Sequence, residues 1–171
     1  MGKFLAGLIV GAILVPLVVA VYFVTGMAPA ATSANAMPFE KMLAKKSLNA
    51  RVAKEMPKTV PIAVDDATYQ AGAKVYVDNC AVCHGLPGHP DTVIAKGEFP
   101  VPPQLFRGKG VTDDPPGETY WKVANGIRLT GMPAYKPSLS DTEMWQVSLL
   151  LANADKIPPQ VLNTLKSAQV H

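Results

Sequence analysis

Cysteine and histidine are scarce in this sequence, with two and three residues among 171. So few cysteines exclude a scaffold of several disulfides. A structural zinc site takes about four Cys or His ligands and would consume nearly every such residue in the chain. Charge is sparse as well, at 17% of residues, and it is unevenly divided. Residues 25–64 carry six basic and two acidic side chains, whereas residues 65–171 carry nine basic and eleven acidic ones. A mildly acidic domain behind a basic segment gives no basis for nucleic-acid binding.

What the chain does have is one long uncharged run, "FLAGLIVGAILVPLVVAVYFV", from Phe4 to Val24. As a helix its 21 residues would extend about 31 Å, close to one bilayer core. Pro16 near its middle is tolerated in a membrane helix, and Tyr22 and Phe23 suit an interface. A cleaved signal peptide is the rival, with Lys3 as its basic start and Ala34 to Ala36 as a cleavage site. The apolar stretch exceeds the usual 7–15 residues of such a leader, which favours an uncleaved anchor over residues 1–24. Lys3 places the N-terminus in the cytoplasm and the rest in the periplasm or outside the cell membrane, although the basic residues beyond 40 complicate that rule. Gly7 and Gly11 form a G-x-x-x-G pair, a spacing that lets membrane helices pack closely.

Residues 25–64 read as a linker. Its first part, "TGMAPAATSANAMP", has no core-forming pattern. Beyond it, Phe39, Leu43, Leu48, Val52 and Met56 are expected to share a helical stripe among Lys41, Lys45, Lys46, Arg51 and Lys54. Such a helix would pack on the domain or a partner, or lie on an anionic membrane surface. Asp65 or Asp66 then caps the helix that follows.

Both cysteines fall in "CAVCH", Cys80 to His84. This C-x-x-C-H spacing sets two thiols to form thioethers on one edge of a haem and points the next imidazole at the iron, the signature of c-type attachment. A zinc site would have to recruit His89 and His171. A redox dithiol should follow a strand in a βαβ setting, and none is evident. An ordinary disulfide between Cys80 and Cys83 is the remaining alternative. His89, five residues after His84, would approach from the same side and reads as an exposed loop residue.

The flanks of the motif carry helical patterns. Gly72, Tyr76 and Cys80 recur every four residues, on one helix face, with the glycine permitting close approach of another helix. "LSDTEMWQVSLLLANAD" opens with Ser140 and Glu143 at capping-box spacing and continues with an apolar stripe of Met144, Val147, Leu151 and Ala154, widened by Trp145, Leu149 and Leu150. "GETYWKVANGI" supplies a shorter helix ended by Gly126. With "GAKVYVDNCAVCHG" and "RLTGMPAY", these features resemble the class I cytochrome c family over about residues 66 to 157. The resemblance implies an all-α fold wrapped around one covalent haem c, with crossed N- and C-terminal helices, for a domain spanning 65–171 with a C-terminal tail.

Met132 stands apart from the other six methionines, in a loop between Gly131 and Pro133 and 48 residues after His84. The resemblance gives it the role of distal iron ligand opposite His84. It also implies that a proline-loop carbonyl accepts from the His84 ring, with Pro100, Pro102 and Pro103 available. Leu105 and Phe106 are expected against the porphyrin. Arg107, Tyr120, Trp121 and Arg128 are expected to serve the propionates. His/Met iron suits one-electron transfer between a donor and an acceptor protein at the membrane, as an anchored carrier or a subunit of a respiratory or dehydrogenase complex, and not an enzyme in itself. Were Met132 not a ligand, an open-site haem enzyme or gas sensor would result. An accessory subunit with an incidental haem is the third class.

Overall fold

The computed structural model describes residues 1–89 and 92–169; His171, named above, lies outside the described residues. Two compact units divide the chain at Leu43/Ala44.

The first unit contains helix α1, Gly2–Val24. Its 23 residues continue through Pro16, and none is buried. Length and composition suit a membrane crossing.

The second unit is all-helical among its described residues, with one isolated bridge between Leu86 and His89. It holds most of α2 (Glu40–Glu55), then α3 (Asp66–Asn79), α4 (Ala81–His84), α5 (Val93–Gly97), α6 (Pro116–Asn125), α7 (Asp141–Ala152) and α8 (Pro159–Ser167). The core centres on α3 and α7. Tyr76, Ala73, Val147 and Leu150 are fully buried there. Gly72 makes the crossing possible, because a Cβ at that position would run into the backbone carbonyl of Gln146 on α7. Helix α7 is apolar nearly all round and buried nearly all round, with Ser148 donating to the Met144 carbonyl at 2.7 Å. The helix stops at Ala152, so Ala154 lies beyond the stripe assigned to it.

Helix α2 corrects one expectation. At 100° per residue, Leu48 lies about 140° around the helix from Leu43, so the five apolar residues do not form one stripe. Val52 is buried, while Phe39 and Leu43 are exposed. The C-terminal half of the helix and the chain beyond it pack on the haem-motif unit. Trp121 Nε1 donates to Glu55 at 3.2 Å, and Gly117 admits the Pro57 carbonyl. Helix α8 lies in what the sequence suggested was a tail. Val161 and Leu165 bury its face, and Gln70 on α3 donates to Thr164 at 3.0 Å.

Two side-chain caps use carboxylates whose pKa is lowered by the bonds they accept. Asp65 accepts from the Thr68 N–H at 2.8 Å, and this bond lowers its pKa. Glu143 accepts from the Ser140 hydroxyl at 2.6 Å and the Ser140 N–H at 2.8 Å, which lowers it likewise. For a carboxylate lowered by folding, the stabilisation is complete above its unfolded pKa and is lost as pH falls through the folded value. Thermal unfolding of wild type and Ser140→Ala should therefore differ most at pH 7, and the gap should narrow as pH falls through the carboxylate range, leaving the uncharged bond from the Glu143 N–H to the Ser140 hydroxyl. A gap of the same size at pH 7 and pH 2 would contradict a charged cap.

Candidate functional site

One cavity of about 220 Å³ opens in the second unit, and Cys80, Cys83, His84 and Met132 all line it. Helix α3 ends at Asn79, and the four-residue α4 carries the rest of the motif. Two tyrosines fasten this segment. The Tyr76 hydroxyl donates to the Gly85 carbonyl at 2.7 Å, and the Tyr135 hydroxyl donates to the Asn79 carbonyl at 2.6 Å. Phe106 packs edge-on against Tyr76 at 5.0 Å rather than lining the cavity. Burial of the Tyr76 ring pushes its hydroxyl pKa upward, so it stays a donor.

The His84 ring is oriented by its Nδ1, which lies 2.8 Å from the Pro103 carbonyl oxygen. With Nδ1–H donating there, Nε2 is the free ring nitrogen. Burial lowers the imidazole pKa, against the opposing effects of the Pro103 bond and the Glu98 charge. The neutral form, the one that binds metal, is thereby favoured. Among the proline carbonyls considered, the Pro103 carbonyl makes this bond.

The Met132 loop is closed by its own backbone. Ile127 N–H donates to the Met132 carbonyl at 3.1 Å. The Thr130 hydroxyl donates to the Ile127 carbonyl at 2.7 Å and accepts from the Met132 N–H at 3.1 Å. Gly126, at φ 66°, ends α6 and lets the loop fold back; a Cβ there would sit 2.7 Å from the Ala134 nitrogen. The Met132 side chain is half-buried on the cavity wall.

Both thiols are unbonded, so the Cys80–Cys83 disulfide is absent. Burial pushes Cys80 up to about 12, and Cys83 is raised for the same reason, with Glu98 adding to it. A redox dithiol needs a lowered thiol pKa, the opposite of this environment. Among the described residues no cluster of three or more Cys, His, Asp or Glu could hold a metal ion. His89 is exposed, and its backbone pairs with Leu86 away from the cavity lining.

The expected propionate partners need correction. Arg107 and Arg128 are exposed and do not line the cavity. Trp121 turns to Glu55 instead, and Tyr120 stacks on Trp145 at 4.3 Å while donating to Asp141 at 2.6 Å. These aromatics lie on the faces of α6 that meet α2 and α7. Leu105 does line the cavity. So do Leu48, Glu98 and Lys122, whose local sequence does not mark them for a site. Lys122 is the basic residue on the wall, and it is paired to Glu118 at 2.6 Å. Glu98 follows α5, with one carboxylate oxygen 3.5 Å from the Cys83 sulfur and the group pressed against Gly131.

Residues 67–149 match the family model described as cytochrome C oxidase, cbb3-type, subunit III. With the helical fold and the C-x-x-C-H cavity, this makes the matched segment a class I c-type cytochrome domain, whose work is haem-based electron transfer. No curated protein matches the chain. The cavity fits a c-type haem. Its wall brings two free thiols, an imidazole with Nε2 free and a thioether sulfur together in largely apolar surroundings.

Proposed function

We propose that the chain is a membrane-anchored, monohaem electron-transfer protein with its haem held covalently through Cys80 and Cys83 and ligated by His84 and Met132. The presence of both ligand side chains and both thiols in the lining of one cavity carries this reading. When bound, haem supplies a one-electron couple. His84 and Met132 would hold the iron and leave no coordination position for substrate, and a thioether ligand would favour the reduced state. Pro103 fixes the His84 tautomer, and Leu105 with the proline loop excludes water. Lys122 is the cation best placed to balance propionate charge.

Glu98 acts in the opposite sense on the couple. A carboxylate near the site favours the oxidised state, which carries one more positive charge. Glu98→Gln should raise the midpoint potential by roughly 30–60 mV, about a factor of three to ten in the equilibrium. An unchanged or lowered potential in a redox titration would contradict that role.

Helix α1 is the anchor and keeps the domain on the extracytoplasmic side of the cytoplasmic membrane. Confinement to the membrane raises the local concentration of a redox partner. The matched family's description includes an oxidase subunit, which favours a place in a membrane respiratory complex over a free carrier. Stopped-flow mixing of the anchored holoprotein with copurifying haem or copper proteins tests this. Reduction by one partner and reoxidation by another is expected; a haem that neither step touches would overturn the electron-transfer role.

A further inference from the structure

The N-terminal end of α2 presents an apolar surface that nothing in its own unit covers. Phe39, Met42 and Leu43 are 71%, 45% and 60% exposed. Phe39 stands just before the helix at φ 64°, a left-handed conformation that bulky residues rarely adopt. The helix start is nevertheless well built, with the Met37 N–H donating to the Glu40 carboxylate at 2.8 Å and the Leu43 N–H to the Phe39 carbonyl at 2.9 Å. Along the helix, Met42, Leu43 and Lys46 fall within about 100° of arc, on the side opposite Leu48 and Val52. The helix therefore has two apolar faces, one buried at Val52 and one left open at Leu43.

We propose that Phe39, Met42 and Leu43 insert into the headgroup region of an anionic bilayer, as a second membrane contact beside α1. This rests on the reading of α1 as a membrane span. The 14 residues from Thr25 to Pro38 join the two, and a flexible linker of that length has a root-mean-square span of about 20 Å. The patch is thus tethered close to the membrane surface. Lys45 and Lys46 follow directly, and a segment with six basic and two acidic side chains matches the charge of anionic headgroups. An aromatic ring beside aliphatic side chains, with lysines next in line, is the composition that binds such an interface.

The test uses the full-length holoprotein in nanodiscs containing phosphatidylglycerol or phosphatidylcholine alone. Single cysteines for spin labelling replace Leu43, Val15 in the span, and Ser167 on α8, with wild type labelled in parallel to set the background. Power saturation with oxygen and a water-soluble nickel chelate reads depth. The Leu43→Cys label is expected to show an oxygen-to-nickel accessibility ratio several-fold above Ser167→Cys and below Val15→Cys. Lys45→Glu with Lys46→Glu should move it toward water in phosphatidylglycerol discs. A water-like Leu43→Cys label beside a lipid-like Val15→Cys label overturns the interfacial contact while leaving the anchor intact. A Leu43→Cys label shielded from both reagents overturns it in favour of a protein partner. A water-like Val15→Cys label overturns the anchor and the proposal together.

Discussion

Gly72→Ala is expected to destabilise the domain by about 3 kcal/mol or more, at the upper end for overpacking a core. The sign is the informative part. In a helix, alanine is favoured over glycine by about 1 kcal/mol, so propensity alone predicts a more stable protein. Packing predicts the reverse, because the added methyl overlaps the carbonyl oxygen and carbon of Gln146, which are backbone atoms of a buried helix. No rotamer change relieves that contact; α7 itself must move away from α3. Leu150, whose Cβ lies 3.1 Å from the same point, would be displaced with it. Since Tyr76 and the motif segment hang on α3, haem retention should fall as well. Urea unfolding of the holoprotein, with absorbance followed in parallel, measures both. A variant as stable as wild type would contradict the close crossing.

Met132→Ala should change the protein's redox character more than its fold. The side chain is half-buried, and the loop's backbone bonds through Ile127 and Thr130 do not depend on it. Loss of the thioether sulfur is expected to lower the midpoint potential by at least about 0.1 V, a modest part of the roughly 0.8 V that axial ligands span. The vacated position should admit exogenous ligands, and electron transfer to the physiological acceptor should slow. Redox titration and ligand-binding spectra check this. A variant with wild-type potential and spectrum would remove Met132 from the iron.

These two predictions rest on residues that were legible from local pattern. Gly72 sits on the same face as Tyr76 and Cys80, and Met132 is set off by Gly131 and Pro133. Ser140 and Glu143 announced the start of α7 because a capping box is a local device. The apolar phase of α2 breaks between Leu43 and Leu48, which are five residues apart, a spacing that moves to the far side of a helix. Helix α8 is faint in the sequence, although Val161 and Leu165 are four apart and Pro158 and Pro159 mark its start. Its stability comes from packing on α3, which a short polar-looking segment does not advertise. The cavity wall divides in the same way. Cys80, Cys83, His84, Pro103 and Leu105 are near the motif or in the proline loop. Glu98 and Lys122 are brought to the wall by α5 and α6, and nothing in their local sequence marks them. Residue type alone points to Arg107 and Trp121, and it says nothing of the face a helix or loop turns inward.

The axial ligation of the wild-type iron is the point on which the account depends. The ferric spectrum of the full-length holoprotein, recorded before and after reduction under CO, tests it most directly. His84 and Met132 ligation predicts a low-spin ferric spectrum with the methionine–iron charge-transfer band, and a reduced protein that does not take up CO readily. A high-spin ferric spectrum without that band, and rapid CO binding on reduction, would contradict it.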